Sequence, residues 1–172
     1  MTSMDLLGVG LLVLRVVVGG TLFAHGAQKA FGWWGGPGPR GWTGVITKMG
    51  FRPAPLFAAL SIAAELAGLL LALGLLTPLV GLILIGQVVV IIGKAHLKNG
   101  FWNSKGGIEF ALSLLAGVVA LTLTGPGDIS IDHAVGLAFD PLVSVAAVVI
   151  GFVGGVGTLF LQRLLAQEPN PA

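Results

Sequence analysis

The chain has 172 residues, 55% of them hydrophobic, and only 9% are Asp, Glu, Lys or Arg, against about 25% in an ordinary soluble domain. With a mean hydropathy of +0.99 it cannot present a normal aqueous surface, so it reads as an integral membrane protein forming a single domain over 1–172. A net charge of +2 with no exposed basic run argues against nucleic acid, and the absence of cysteine removes disulfides, thiolate chemistry, iron–sulfur clusters and Cys-bound zinc.

Five apolar segments follow one another, at about residues 6–31, 54–76, 79–95, 107–124 and 142–165. Each is near the roughly 20 residues that span a hydrocarbon core. The expected architecture is all-α: an antiparallel transmembrane helical bundle. The first segment carries no preceding Lys or Arg and no small-residue cleavage pattern, so it is expected to be retained as a helix. It contains Arg15, His25, Gln28 and Lys29. At about 100° per residue, Lys29 falls roughly 40° and His25 roughly 80° from Arg15, so the three share one arc. A charge facing lipid costs at least about 2.5 kcal/mol, and another helix is expected to bring an acid to this arc.

The loop over 32–53 opens with Trp33 and Trp34, turns through GGPGP and continues as a short segment over 41–49. Tryptophan beside basic residues favours the headgroup level, which predicts a short interfacial helix. Pro53 and Pro55 then open the second span, Thr77-Pro78 separates the second from the third, and the GPG at 125–127 closes the fourth. The fifth span is glycine-rich, with Gly151 and Gly155 four apart, a spacing that permits close helix approach. No internal or inverted repeat is evident, which counts against a transporter built from duplicated halves.

Charge alternates between the connections. Lys29, Arg40, Lys48, Arg52, Lys94, Lys98, Lys105 and Arg163 fall on one side. Asp5, Asp128, Asp132 and Asp140 fall on the other. The positive-inside rule then puts the N-terminus outside and the C-terminus in the cytoplasm, and the expected location is the plasma (inner) membrane.

Two polar groupings stand out. Counting depth from the outer helix ends puts Arg15, Glu65 and Gln87 near mid-membrane, where an Arg–carboxylate pair with a hydrogen-bonding Gln is the least costly burial. That pair is either a register pin or a functional group. The second grouping lies toward the basic side: His25, Gln28, Lys29, Lys94, His96, Glu109 and the nearby Trp102. Haem ligation by His25 and His96 is a minor alternative without a supporting motif. In the outer loop, Asp128, Ser130, Asp132 and His133 suit turn and cap roles better than metal ligation, and no metal is expected.

The motifs R-x9-H-G-x-Q-K-x-F-G (15–32), A-x2-S-x3-E-L-x-G (58–68), L-G-L-L-T-P (73–78), G-x-E-F-A-L (107–112) and G-P-G-D-I-S-I-D (125–132) together resemble the DoxX family of small bacterial and archaeal membrane proteins. The resemblance implies a four-helix core, to which the fifth, C-terminal helix is an addition. It also implies association with redox enzymes, through relatives tied to thiosulfate:quinone oxidation, a terminal oxidase, superoxide detoxification and sulfur transfer.

With this resemblance the leading expectation is a membrane subunit linked to redox metabolism. It would dock an oxidoreductase or respiratory complex and hold a quinone at the polar intramembrane site. His25, Glu109 and Lys29 are the expected proton-handling and anion-stabilising residues. Arg15, Gln28, Glu65, Gln87 and Trp102 are expected to line the site. A proton- or small-solute-permeating protein relaying through Arg15, Glu65 and Gln87, and a non-catalytic scaffold of a redox assembly, are the alternatives. The lipid bilayer is an expected partner, and a homo-oligomer is compatible with the sequence.

Overall fold

A computed structural model describes residues 6–167, with side chains through residue 165. Asp5 and the end of the C-terminal tail, to which the sequence assigns opposite sides of the membrane, lie outside the described residues. Helix α1 runs Leu6–Phe31, the bounds read from its apolar run. A short helix α2 (Gly38–Lys48) follows, with proline in its first turn and Thr43 and Thr47 bonding back to carbonyls four residues earlier. It does more than lie on a surface. Ile46 is buried with Phe51 and Ala58, so the loop is folded against the bundle.

The second span is two helices, α3 (Ala54–Leu66) and α4 (Gly68–Leu73), joined at Ala67. It ends at Gly74 in the left-handed region, so its outer end lies earlier than Leu76. Helix α5 covers Thr77–Ile91 and continues as a π turn over Ile92–His96. Helix α6 (Glu109–Thr124) opens two residues later than Gly107 and has 16 residues. It would be about 24 Å long at ~1.5 Å per residue, short of a full crossing. A four-residue helix α7 (Ile131–Ala134) interrupts the outer loop, and α8 runs Pro141–Gln167.

The described residues contain no strand. Four helical stretches are long and apolar enough to cross a membrane, with α6 a shorter apolar companion. Within an 18-residue apolar stretch of each long span only 22% to 33% of the residues are buried within the protein. The rest present Leu, Val, Ile and Phe outward, an arrangement that a bilayer stabilises and water does not. The core is built by Val18 and Leu22 of α1, Leu71 of α4, Val80, Leu84, Ile85 and Val88 of α5, and Leu115, Val118 and Leu121 of α6.

Small residues set how closely the helices approach. A Cβ on Gly19 would lie 2.5 Å from the Gly68 carbonyl, so α1 and α4 touch backbone to backbone. On the other flank α8 packs chiefly on α5. A Cβ on Gly151 would meet Leu82 O at 2.8 Å, and one on Gly155 would meet Gly86 O at 2.9 Å. The Gly151/Gly155 spacing read from the sequence is therefore a real close contact.

The two ends of the bundle differ as the charge pattern requires. One end gathers the α4–α5 turn and the loop over 125–134 around the start of α1. Asp132 N donates to Gly74 O at 2.9 Å, and Gly127 lies against Leu11 and Gly8. The other end gathers the 32–53 loop, the π turn and the end of α8. There Gln162, fully buried, accepts from Arg52 N at 2.8 Å and donates to Arg52 O at 3.2 Å.

Candidate functional site: a lipid-facing groove with a buried ion pair

The intramembrane ion pair exists, but between different partners than depth counting suggests. The Lys29 ammonium donates to Glu65 Oε1, and both side chains are buried. Gln87 Nε2 adds a bond to Ser61 Oγ at 2.8 Å and one to Glu65 Oε1 at 3.2 Å. The Lys29 ammonium also sits over the Trp42 ring, 3.9 Å from its centroid, a favourable cation–π placement. Helices α1, α3 and α5 thus deliver Lys29, Ser61, Glu65 and Gln87 to one point, and α2 closes it with Trp42. Close contact of Gly26 with the backbone at Glu65 and Leu66 brings α1 near enough for the lysine to reach.

Arg15 does not join this group, which corrects the expected Arg15–Glu65 pair. Its guanidinium donates to the carbonyls of Ala72 (3.0 Å), Pro126 and Ile129. The loop over 125–130 packs along the first turns of α1, and this places Arg15 among loop carbonyls. A guanidinium fork suits several backbone acceptors at once. Nearby, buried Asp132 accepts from Leu76 N (2.7 Å), Thr77 N (3.0 Å) and Thr77 Oγ1 (2.9 Å), capping α5. Ser130 caps α7 through His133 N. The cap roles expected of these loop residues are therefore observed for Ser130 and Asp132.

The Lys29–Glu65 group opens into a cavity of about 650 Å³ between α1, α2, α3, α5, α6 and α8. Its walls are almost wholly apolar, with Phe57, Leu60 and Ala64 from α3 and Ile83 and Val90 from α5. Ile150, Gly151, Gly155 and Thr158 make α8 one of the walls, so the C-terminal helix takes part in shaping the site. Lys94 and His96, carried by the π turn, line the same cavity. Lys94 also reaches Met49 O at 3.4 Å, and the His96 ring bonds Gly106 O at 2.8 Å.

Of the residues singled out from the sequence, His25, Lys29, Glu65 and Gln87 line this cavity, whereas Arg15, Gln28, Glu109 and Trp102 do not. His25 is exposed and meets Phe110 edge to face, with ring centroids 6.0 Å apart. The Glu109 carboxylate, expected as its acid partner, accepts from Asn103 N at 2.9 Å and orders the turn before α6. Trp102 is an exposed aromatic packed on Phe101. Sequence reading missed Trp42, Ser61 and the α8 wall. An indole in a loop beside basic residues reads as a headgroup anchor, and only the fold of α2 onto α3 brings it inward.

Two polar atoms of residues around the groove are buried without a hydrogen-bond partner. They are Glu65 Oε2, an acceptor, and Trp42 Nε1, a donor. Buried polar atoms are nearly always satisfied, and an orphan costs about 1–3 kcal/mol. Both orphans belong to residues that line the cavity.

The DoxX family model matches residues 10–97, just over half of the chain. The chain belongs to the DoxX family. The match covers α1 through the π turn, and so includes Lys29, Trp42, Ser61, Glu65, Gln87, Lys94 and His96. Helices α6 and α8 lie beyond it. No curated protein and no solved structure matches the chain.

Proposed function

We propose that this DoxX-family membrane protein binds a lipid-soluble molecule with a polar ring head, of the quinone class, in the groove between α3, α5 and α8. The observation that carries the reading is the pairing of an apolar groove with buried, unpartnered hydrogen-bonding atoms on two residues that line it. An apolar tail would lie along Leu60, Ala64 and Ile83 while the head meets Lys29, Trp42, Glu65 and Gln87. Sites of this kind bind through apolar walls and gain orientation from a few convergent polar groups. His25 lines the same groove and is the side chain best suited to exchange a proton with the bound head. In this reading the protein serves as the membrane subunit of a redox assembly. Its basic end, with the exposed Trp33, Trp34 and Trp102, faces the cytoplasm and a partner oxidoreductase.

A relay for protons or small solutes is less well supported. Arg15 spends its donors on backbone carbonyls and leaves the Glu65–Gln87 group isolated from it.

Photolabelling tests the proposal. A short-chain photoreactive quinone should label α3 or α5 near Leu60, Ala64 or Ile83. Excess unlabelled quinone and the groove-filling Ala64→Phe change should each suppress the labelling. Labelling indifferent to both would overturn the reading.

A further inference from the structure

We infer that the head bound in this groove must donate a hydrogen bond as well as accept one, so that the site selects a hydroxyl-bearing ring such as a hydroquinone over its carbonyl-only, oxidised form. The inference rests on the groove being a ligand site, and it deepens that reading by fixing the chemistry of the head. Glu65 meets the Lys29 ammonium through Oε1, the partner expected of an ionised carboxylate, which can only accept. Its second oxygen, Oε2, is buried and unpartnered. It takes a donor, which a ligand O–H or N–H can supply. The indole Nε1–H of Trp42, also buried and unpartnered, can only donate and calls for a ligand oxygen. A hydroxyl-bearing ring answers both atoms. A quinone offers acceptors alone, so it satisfies Trp42 and sets a carbonyl oxygen against an anionic oxygen. The other donors at this point do not relieve Glu65 Oε2, since Gln87 Nε2 and Lys29 Nζ both go to Oε1.

A hydrogen bond to a charged group is strong enough for about tenfold or greater discrimination. The test is an anaerobic calorimetric titration of the full chain in lipid nanodiscs with three matched ligands: a short-chain hydroquinone, its dimethyl ether and the corresponding quinone. The expected result is hydroquinone bound at least about tenfold tighter than either of the others. Equal affinities, or a preference for the quinone, would overturn the inference while leaving the groove as a ligand site. No binding by any of the three would overturn both. Trp42→Phe keeps the ring over Lys29 and removes the donor. It should weaken hydroquinone and quinone alike, and so leave their ratio unchanged. A ratio that collapses in Trp42→Phe would assign the selectivity to the indole and overturn the role given to Glu65.

Discussion

The carboxylate of Glu65 is held by Lys29, fourteen residues further along α1 than Arg15. This one pairing sorts the polar residues of the membrane interior into two groups with different duties. Lys29, Glu65, Ser61 and Gln87 lie at the groove and face a ligand-sized space. Arg15 and Asp132 lie at the other end and staple the loop over 125–134 to α1, α4 and α5.

Removing one member of the Lys29–Glu65 pair leaves the other buried and uncompensated. Such losses cost about 3–5 kcal/mol, whereas replacing both charges by apolar groups is often near neutral. Lys29→Met and Glu65→Leu should each lower the unfolding midpoint in detergent, and the double variant should recover most of the loss. Additive losses in the double variant would show that the two side chains are not coupled.

At the opposite end, Arg15→Leu strips donors from the carbonyls of Ala72, Pro126 and Ile129, at about 1–3 kcal/mol for each carbonyl left buried. Asp132→Ala removes the cap of α5, at about 0.5–2 kcal/mol. Both should speed amide hydrogen exchange in residues 126–134 while leaving ligand binding in the groove intact, with the larger effect from Arg15→Leu. Unchanged exchange in that loop would contradict the staple.

Helix α8 approaches α5 at Gly151 and Gly155 because no side chain intervenes. Gly155→Val should force α8 outward at an overpacking cost of about 1–3 kcal/mol. Spin labels on α5 and α8 should then move apart, and the groove should lose affinity because α8 is one of its walls. An unchanged label distance would show that the contact tolerates a larger side chain.

Much of the scaffold is legible in the residues. The apolar run of α1, the proline starts of α3 and α5, the close Gly151/Gly155 contact and the segregation of charge between the two ends follow from elementary constraints of a bilayer. The partner of Arg15 was not legible. Depth along a helix fixes one coordinate, while rotation and the inward fold of the 125–130 loop decide which acceptor is reached. Glu109 shows the same limit: it shares an end of the bundle with His25, but Asn103, six residues away, claims it first. Trp42 and Gln162 carry no sequence signal for their burial. Trp42 turns inward because α2 packs on α3 through Ile46, Phe51 and Ala58, and Gln162 because both faces of its amide find Arg52.

The most direct measurement is mass spectrometry of the small molecules retained by the full-length protein when it is extracted from native membranes. The wild-type chain should carry a ring-headed lipid with an apolar tail at near-stoichiometric amounts, and Ala64→Phe should carry little of it at equal folded yield. Equal retention by both forms, or no such lipid on either, would contradict a ligand site at Glu65 and Trp42.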